Sequence, residues 1–310
     1  MDKIVVGSRG SRLALQQARH IISRLQKLAP ATQFSLKEIK TTGDKILDVA
    51  LAKIGDKGLF VKEIETALLQ EEIDIAVHSM KDLPTVIPAG LKIGAMEKRE
   101  DPRDVIISNG SKKLADLSPG ASVGTGSLRR VAQLSHFRPD LNFNPVRGNL
   151  DTRMRKLKKQ EFTALVLAYA GIKRLGLQEE IAEVIPVDVC LPAVGQGALG
   201  IEMRTGDKAV AELLRGIDDP STHAAVVGER AFLYRLEGGC QVPIGALGQI
   251  IEGELRLQGL IASLDGTALL RDAVSGQPDQ AAELGVLLAE RLLSRGGDAI
   301  LEKVRREFDQ

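Results

Sequence analysis

Twice in this chain a short apolar run ends in a loop of glycine and hydroxyl residues that opens directly into an amphipathic stretch. The first run is 3–6, followed by Gly7-Ser8-Arg9-Gly10-Ser11 and then by Leu13, Leu15, Ala18, Ile21, Ile22, Leu25 and Leu28 at helical spacing. The second is 121–125, followed by Gly126-Ser127-Leu128-Arg129-Arg130 and a helix to about Phe137. Strand, glycine loop and helix in that order commit each half to an α/β layer. The pattern also presents backbone N–H groups to an anion. Arg9 and Ser11 would stand at the mouth of the first loop, where Ser11 is equally suited to be a plain N-cap. In the second, two arginines occupy the first helical turn, against the helix dipole. A bound anion would account for them.

The remaining strands follow from apolar runs. Residues 34–40 alternate, and 73–77 form a nearly continuous apolar run that suits a buried parallel strand. Further strands are expected at 105–108, 142–146, 163–168 and 198–202. The charged segment 97–104 (EKREDPRD) reads as a first crossing between lobes, and 189–196 as the return. The expected fold is therefore two hinged α/β lobes and a small α+β C-terminal domain. Lobe 1 takes 1–97 and 198–216, lobe 2 takes 103–191, and the C-terminal domain takes 220–310, with hinges at about 98–102 and 192–197. Within lobe 1, 45–57 reads as a loop, either a mobile lid or an ordinary solvated segment.

Composition narrows the partners. Lys+Arg 42 against Asp+Glu 41 leaves a net charge of +1, with 3% aromatic residues and no Trp. That excludes a bulk electrostatic footprint for nucleic acid and a base-stacking platform. No apolar run is long enough for a membrane span, and the first residues read as a strand rather than a leader. A cytoplasmic location with both cysteines reduced is expected. Cationic function must come from local clusters: Arg129 with Arg130, Arg147, Arg153 and Arg174 all fall just after strands or in the helices that follow. Guanidinium groups bind carboxylates bidentately, so a polycarboxylate ligand suits this half.

Two residues carry possible chemistry. Asp82 follows the 73–77 run in His78-Ser79-Met80-Lys81-Asp82-Leu83-Pro84, where ligands of open α/β sheets gather, although Asp before Leu-Pro is also ordinary turn chemistry. His78 has no companion at metal-ligand spacing and reads as a hydrogen-bonded structural histidine; no metal site is expected. Cys240 is delivered by Gly238-Gly239 into a turn, with Pro243 soon after. Its sulfur is approachable there, as a covalent attachment point requires, while a buried hydrophobic cysteine is the common alternative.

Seven blocks in order identify a resemblance: GSRGSRLAL (7–15), KGLFVKEIE (57–65), AVHSMKDLP (76–84), GTGSLRR (124–130), RGNLDTR (147–153), LPAVGQGAL (191–199) and EGGCQVPIGA (237–246). Together they resemble the porphobilinogen deaminase (hydroxymethylbilane synthase) family, departing from its usual residues at Gly126 and Arg12. The resemblance implies two lobes like periplasmic binding proteins plus a cofactor domain. It also implies a transferase of tetrapyrrole (heme) biosynthesis that joins four porphobilinogen molecules, losing ammonia each time, and releases hydroxymethylbilane by hydrolysis. The cofactor implied is dipyrromethane, held by a thioether to Cys240, and a thiolate is the competent nucleophile to form it.

By the same resemblance Asp82 is the catalytic aspartate. Arg9, Ser11, Lys81, Thr125, Ser127, Arg129, Arg130, Arg147, Arg153, Arg174 and Gln196 match cofactor- and substrate-binding residues, and Phe60 an aromatic near the reacting rings. Cys190 matches nothing with a role and reads as structural. The expected partner is the small-molecule substrate, with no nucleic acid, no membrane and a monomeric state. The rival reading is a hinged cytosolic binding protein for small polycarboxylate anions. It explains the crossings and the arginines, but not Asp82 together with Cys240.

Overall fold

A computed structural model of the chain describes residues 2–42, 61–238 and 242–308. The chain divides into two compact units. Among the described residues, the first holds 2–42, 61–100 and 197–223; the second holds 101–196, 224–238 and 242–308.

In the first unit β1 (Lys3–Arg9) leads through Ser11 into α1 (Arg12–Leu28) and back to β2 (Gln33–Ile39), which pairs parallel with β1. After α2 (Lys62–Leu69) come β3 (Ile75–Ser79) and β4 (Leu91–Glu97). The sheet is completed by β10 (Leu199–Arg204), which enters between β3 and β4, and the strand order is β2-β1-β3-β10-β4. The apolar run at β3 is parallel to β1 as expected, but antiparallel to β10. α1 and α6 (Lys208–Arg215) supply Ala18, Ile21, Leu25, Val210 and Leu214 to a core shared with Ile75, Val77, Leu199, Ile201 and Met203. Each fully buried aliphatic side chain of this kind contributes about 1.5–3 kcal/mol. The other face, covered by α2, buries Ile64, Ala67, Leu68 and Ala76.

The second unit repeats the plan. β6 (Ser122–Gly124), α3 (Leu128–Phe137) and β7 (Asn142–Asn144) form the same parallel strand–helix–strand unit. α4 (Leu150–Lys158), β8 (Ala164–Ala168) and α5 (Tyr169–Arg174) follow. With β5 (Asp104–Ser108) and β9 (Glu183–Val184) the order is β7-β6-β8-β5-β9. Position by position this matches the first sheet. In both, three parallel strands are followed by an antiparallel fourth, β10 or β5, which is the first strand after a crossing. α4 buries Met154 and Leu157 and exposes Arg155 and Lys158, in keeping with its composition.

The C-terminal part belongs to the second unit. α7 (Pro220–Arg235) precedes a three-stranded antiparallel sheet, β11 (Ile244–Ile251), β12 (Glu254–Ala262) and β13 (Leu269–Gly276). α8 (Ala281–Leu292) and α9 (Asp298–Phe308) complete its core. It packs on α3 through Ala132, Leu191, Leu247, Leu260 and Ala262. There His136 Nδ1 lies 2.8 Å from the Gly266 carbonyl oxygen.

Candidate functional site

In the first unit, β1 and β3 run parallel in the register Val6↔Ile75 and Gly7↔Ala76, so their C-terminal ends lie side by side. Arg9 and Ser11 follow from one and Lys81 and Asp82 from the other, which brings four expected site residues to one edge of the sheet. Ser11 caps α1, its Oγ accepting from Ala14 N at 3.3 Å. Met80–Asp82 forms a single 3-10 turn. Met80 N donates to the carbonyl of Ala198, the residue just before β10, at 3.1 Å, and Leu83 N donates back to the Met80 carbonyl at 3.3 Å. Met80 is buried and Asp82 is exposed, so a carboxylate stands in solvent on a backbone that is fixed beneath it. Ser79, just before the turn, is hydrogen-bonded to the buried Gln17 of α1, with Gln17 Nε2 donating to its Oγ at 3.0 Å. His78 is buried and hydrogen-bonded to Glu202, which is the structural role its isolation in the sequence suggested.

In the second unit the C-terminal ends of β7, β6 and β8 carry Thr125, Ser127, Arg147, Arg153 and Arg174. Thr125 Oγ1 accepts from Ser127 N at 3.2 Å, and Arg153 Nε donates to the Gly148 carbonyl at 2.8 Å, tightening the loop that holds Arg147. Arg129 and Arg130 are 4% and 6% exposed, and the anion that balances them is the protein's own Asp104, the fully buried first residue of β5. Asp104 Oδ2 accepts from Arg129 Nη1 at 2.7 Å; Oδ1 accepts from Arg130 Nε at 3.1 Å and Nη2 at 2.8 Å, and from Gln196 Nε2 at 2.8 Å. Arg129 Nη1 also donates to the Leu191 carbonyl at 2.7 Å, and Arg130 Nη1 to the Val166 carbonyl at 2.9 Å. Burial alone would raise the Asp104 carboxyl, but the Arg129 and Arg130 charges outweigh it and hold that carboxyl well below the usual carboxylate range.

The structure thus brings Arg129, Arg130 and Gln196 together at Asp104, a residue that sequence reasoning left inside a charged crossing. Its only signal was a lone carboxylate at the head of an apolar strand. Cys190 belongs to this cluster, its Sγ 3.3 Å from Arg129 Nη1 and 3.4 Å from Asp104 Oδ2. Burial pushes its thiol up to about 12, so it is a core residue and no nucleophile. Glu229 of α7 was also missed. Fully buried, it accepts from Gly195 N at 2.7 Å and from Gly248 N at 2.8 Å, fixing the Gln196 loop to β11. Phe60, Cys240 and the 45–57 loop lie outside the described residues.

The two crossings meet at Gly197. Glu100 N donates to the Gly197 carbonyl at 3.3 Å. Gly197 has φ +91°, and a Cβ there would lie 2.4 Å from the Glu100 carbonyl oxygen, so only glycine fits.

Comparison with known proteins gives the same picture along the whole chain. Residues 4–212 match the family model described as porphobilinogen deaminase, dipyromethane cofactor binding domain, and 223–294 match its C-terminal domain. A porphobilinogen deaminase of Desulforudis audaxviator is 59% identical over 98% of both chains, and one of Pelotomaculum thermopropionicum is 54% identical over 98% of both. Among solved structures, the L-cystine solute receptor of Neisseria gonorrhoeae aligns at 11% identity and TM-score 0.40, covering 74% of this chain and 91% of that one. The family matches do not favour the polycarboxylate-binding protein considered from the sequence. With both domain models matched in order and more than half of its residues shared with full-length relatives, the chain belongs to the porphobilinogen deaminase family.

Proposed function

We propose that this chain is a transferase of tetrapyrrole biosynthesis that condenses four porphobilinogen molecules, with loss of ammonia at each step, and releases hydroxymethylbilane by hydrolysis. Family membership over the whole length is the observation that carries this reading. The donor set supports it. Arg129 and Arg130 share one internal carboxylate, which leaves the buried cluster with net positive charge, and Arg129 Nε has no hydrogen-bond partner among the described residues. Such a site fits a group rich in carboxylates.

Dipyrromethane, when bound through a thioether to Cys240, supplies the pyrrole terminus to which substrate is added. Arg129, Arg130, Arg147, Arg153, Arg174, Thr125, Ser127 and Gln196, with Arg9, Ser11 and Lys81 of the first unit, hold acetate and propionate carboxylates. Phe60 is assigned, from the sequence match alone, as the aromatic residue for the reacting rings. Asp82 holds its negative charge where substrate loses ammonia, stabilising the cation that remains and taking part in proton transfer at the pyrrole.

The domain reading is two lobes, 1–97 with 198–216 and 103–191, and a cofactor-attachment domain, 220–310. The chain acts in the cytoplasm as a monomer on a small molecule, without nucleic acid or membrane. Its near-zero net charge and few aromatic residues support the absence of a nucleic-acid partner. Among the described residues no helix is long and apolar enough to cross a membrane.

Intact mass of the purified protein, followed by porphobilinogen consumption, tests the reading. An adduct of two linked pyrrole units and steady consumption are expected. An unmodified mass from several preparations together with no consumption would overturn it.

A further inference from the structure

The two faces of the first sheet are built differently. On the face covered by α1 and α6, β3 and β10 bury only aliphatic or thioether side chains: Ile75, Val77, Leu199, Ile201 and Met203. On the face covered by α2, the same two strands bury His78 and Glu202, with side chains 4% and 0% exposed and His78 Nε2 3.0 Å from Glu202 Oε2. Glu202 Oε1 has no hydrogen-bond partner among the described residues. Glu65 of α2 lies against the pair. Burial first, and the Glu202 charge second, raise its carboxyl, with His78 acting the other way. A buried polar pair with an orphaned oxygen is a poor source of stability, and an apolar replacement of similar volume is often better. The opposite face shows that these strands pack well without ionisable groups, its Ser79–Gln17 contact being neutral. Stability therefore does not explain the pair.

Its position offers an explanation. His78 lies opposite Gly200 in the β3–β10 register, and Glu202 opposite Ala76. Side chains alternate along a strand, so Gly200 and Glu202 share a face with His78. Met80, two residues beyond His78, folds its thioether over Gly200, where a Cβ would stand 2.1 Å from Met80 Sδ. β10 and the residue before it thus hold the end of β3 at three points, each two residues apart: the Ala198 carbonyl on Met80 N, Gly200 under the Met80 side chain, and Glu202 on His78. The segment held is the turn that carries Asp82.

We propose that His78 and Glu202 are positioning residues for Asp82, their buried hydrogen bond locking β3 against β10 and so fixing the Met80–Asp82 turn. This rests on the reading of Asp82 as the catalytic group. The pair touches no substrate. It acts through the backbone, and a misplacement of about 1 Å at a reacting group costs about 100-fold in rate.

The experiment measures kcat and KM for porphobilinogen, cofactor loading by intact mass, and the thermal midpoint. It compares wild type with Glu202→Gln, Glu202→Leu and the double variant His78→Leu/Glu202→Leu. Glu202→Gln keeps an acceptor for Nε2–H and should stay within about threefold of wild-type kcat. Glu202→Leu should lose about 10- to 100-fold in kcat, with KM within about twofold and loading unchanged, and its midpoint should fall because His78 is left buried without its partner; the double variant should hold or raise the midpoint. The double variant removes both polar groups, so it tests the idea even where the single one does not fold. Its loss should equal that of Glu202→Leu, because both changes break the same bond. Wild-type kcat in either Leu variant, or a loss in the double variant that tracks falling stability and loading, would overturn the proposal. Failure of the underlying reading looks different: the wild-type protein would not consume porphobilinogen, or Asp82→Asn would leave its rate unchanged.

Discussion

Replacing Asp104 by asparagine should damage the second unit more than any other single isosteric change. The carboxylate takes three donors on Oδ1, from Arg130 Nε, Arg130 Nη2 and Gln196 Nε2, and two on Oδ2, from Arg129 Nη1 and the Cys190 thiol. An amide has one acceptor oxygen. Whichever way it turns, its NH2 faces the donors of Arg129 or those of Arg130 and Gln196, and two guanidiniums less than a tenth exposed lose their counter-charge. Removing one partner of such a buried network costs about 3–5 kcal/mol. At roughly 2–4 °C per kcal/mol for a chain of a few hundred residues, the thermal midpoint should fall on the order of 10 °C.

The pH dependence carries a definite sign. The folded Asp104 carboxyl lies well below the 3.8 of a free one, so its contribution is complete above that value and is lost as pH falls towards the folded one. The difference between wild type and variant should therefore be flat from pH 5 to 8 and narrow only below about pH 4. Calorimetry or circular dichroism across that range, with cofactor loading followed by mass, makes the comparison. A variant midpoint within about 2 °C of wild type at pH 7 would refute the reasoning, because it would mean that the two arginines are charge-balanced by something other than Asp104.

Asp82→Asn removes an anion from an exposed position whose backbone is held from below, so it should fold and load cofactor normally while turnover falls about 10²–10⁴-fold. Asp82→Glu, which keeps the charge, should retain more activity; near-wild-type rates for a fully loaded Asn variant would return Asp82 to turn chemistry. Cys240→Ser should abolish stable attachment. Cys190→Ser should leave it intact, since the Cys190 thiol is fully buried and pushed up to about 12. Peptide mapping that located the adduct on Cys190 would reverse that assignment.

The parts of the fold legible in the sequence are those where local signals agree. Glycine and serine punctuate β1–α1 and β6–α3, and aliphatic runs mark β3, β8 and β10. β4 was not read, because Leu91–Glu97 combines a lysine and a glycine with half-buried positions and lacks a clean alternation. The direction of β10 was equally hidden: whether a returning strand pairs parallel or antiparallel is decided by where the chain comes back, not by its residues. At the candidate site, residue types announced the arginines and Asp82. The Asp104 cluster did not show, because it forms only when residues 25, 26 and 92 positions away converge on one carboxylate. Local sequence can propose a cation for a ligand; it does not reveal that the chain supplies part of the counter-charge itself.

The insertion of β10 between β3 and β4 also sets a timetable. On a ribosome, β4 emerges at Leu91–Glu97, but the strand that must pair with it on one side and with β3 on the other is not made until Leu199–Arg204. At roughly 5–20 residues per second that is an interval of about 5–20 s, during which the nascent first sheet has an open seam where its fourth strand belongs. The second five-stranded sheet has no such wait. All its strands lie between Asp104 and Val184, so it closes while the first is still incomplete. Of the two five-stranded sheets, the one that begins first is finished last, and its unpaired strand edges are the surface a nascent-chain chaperone would have to shield.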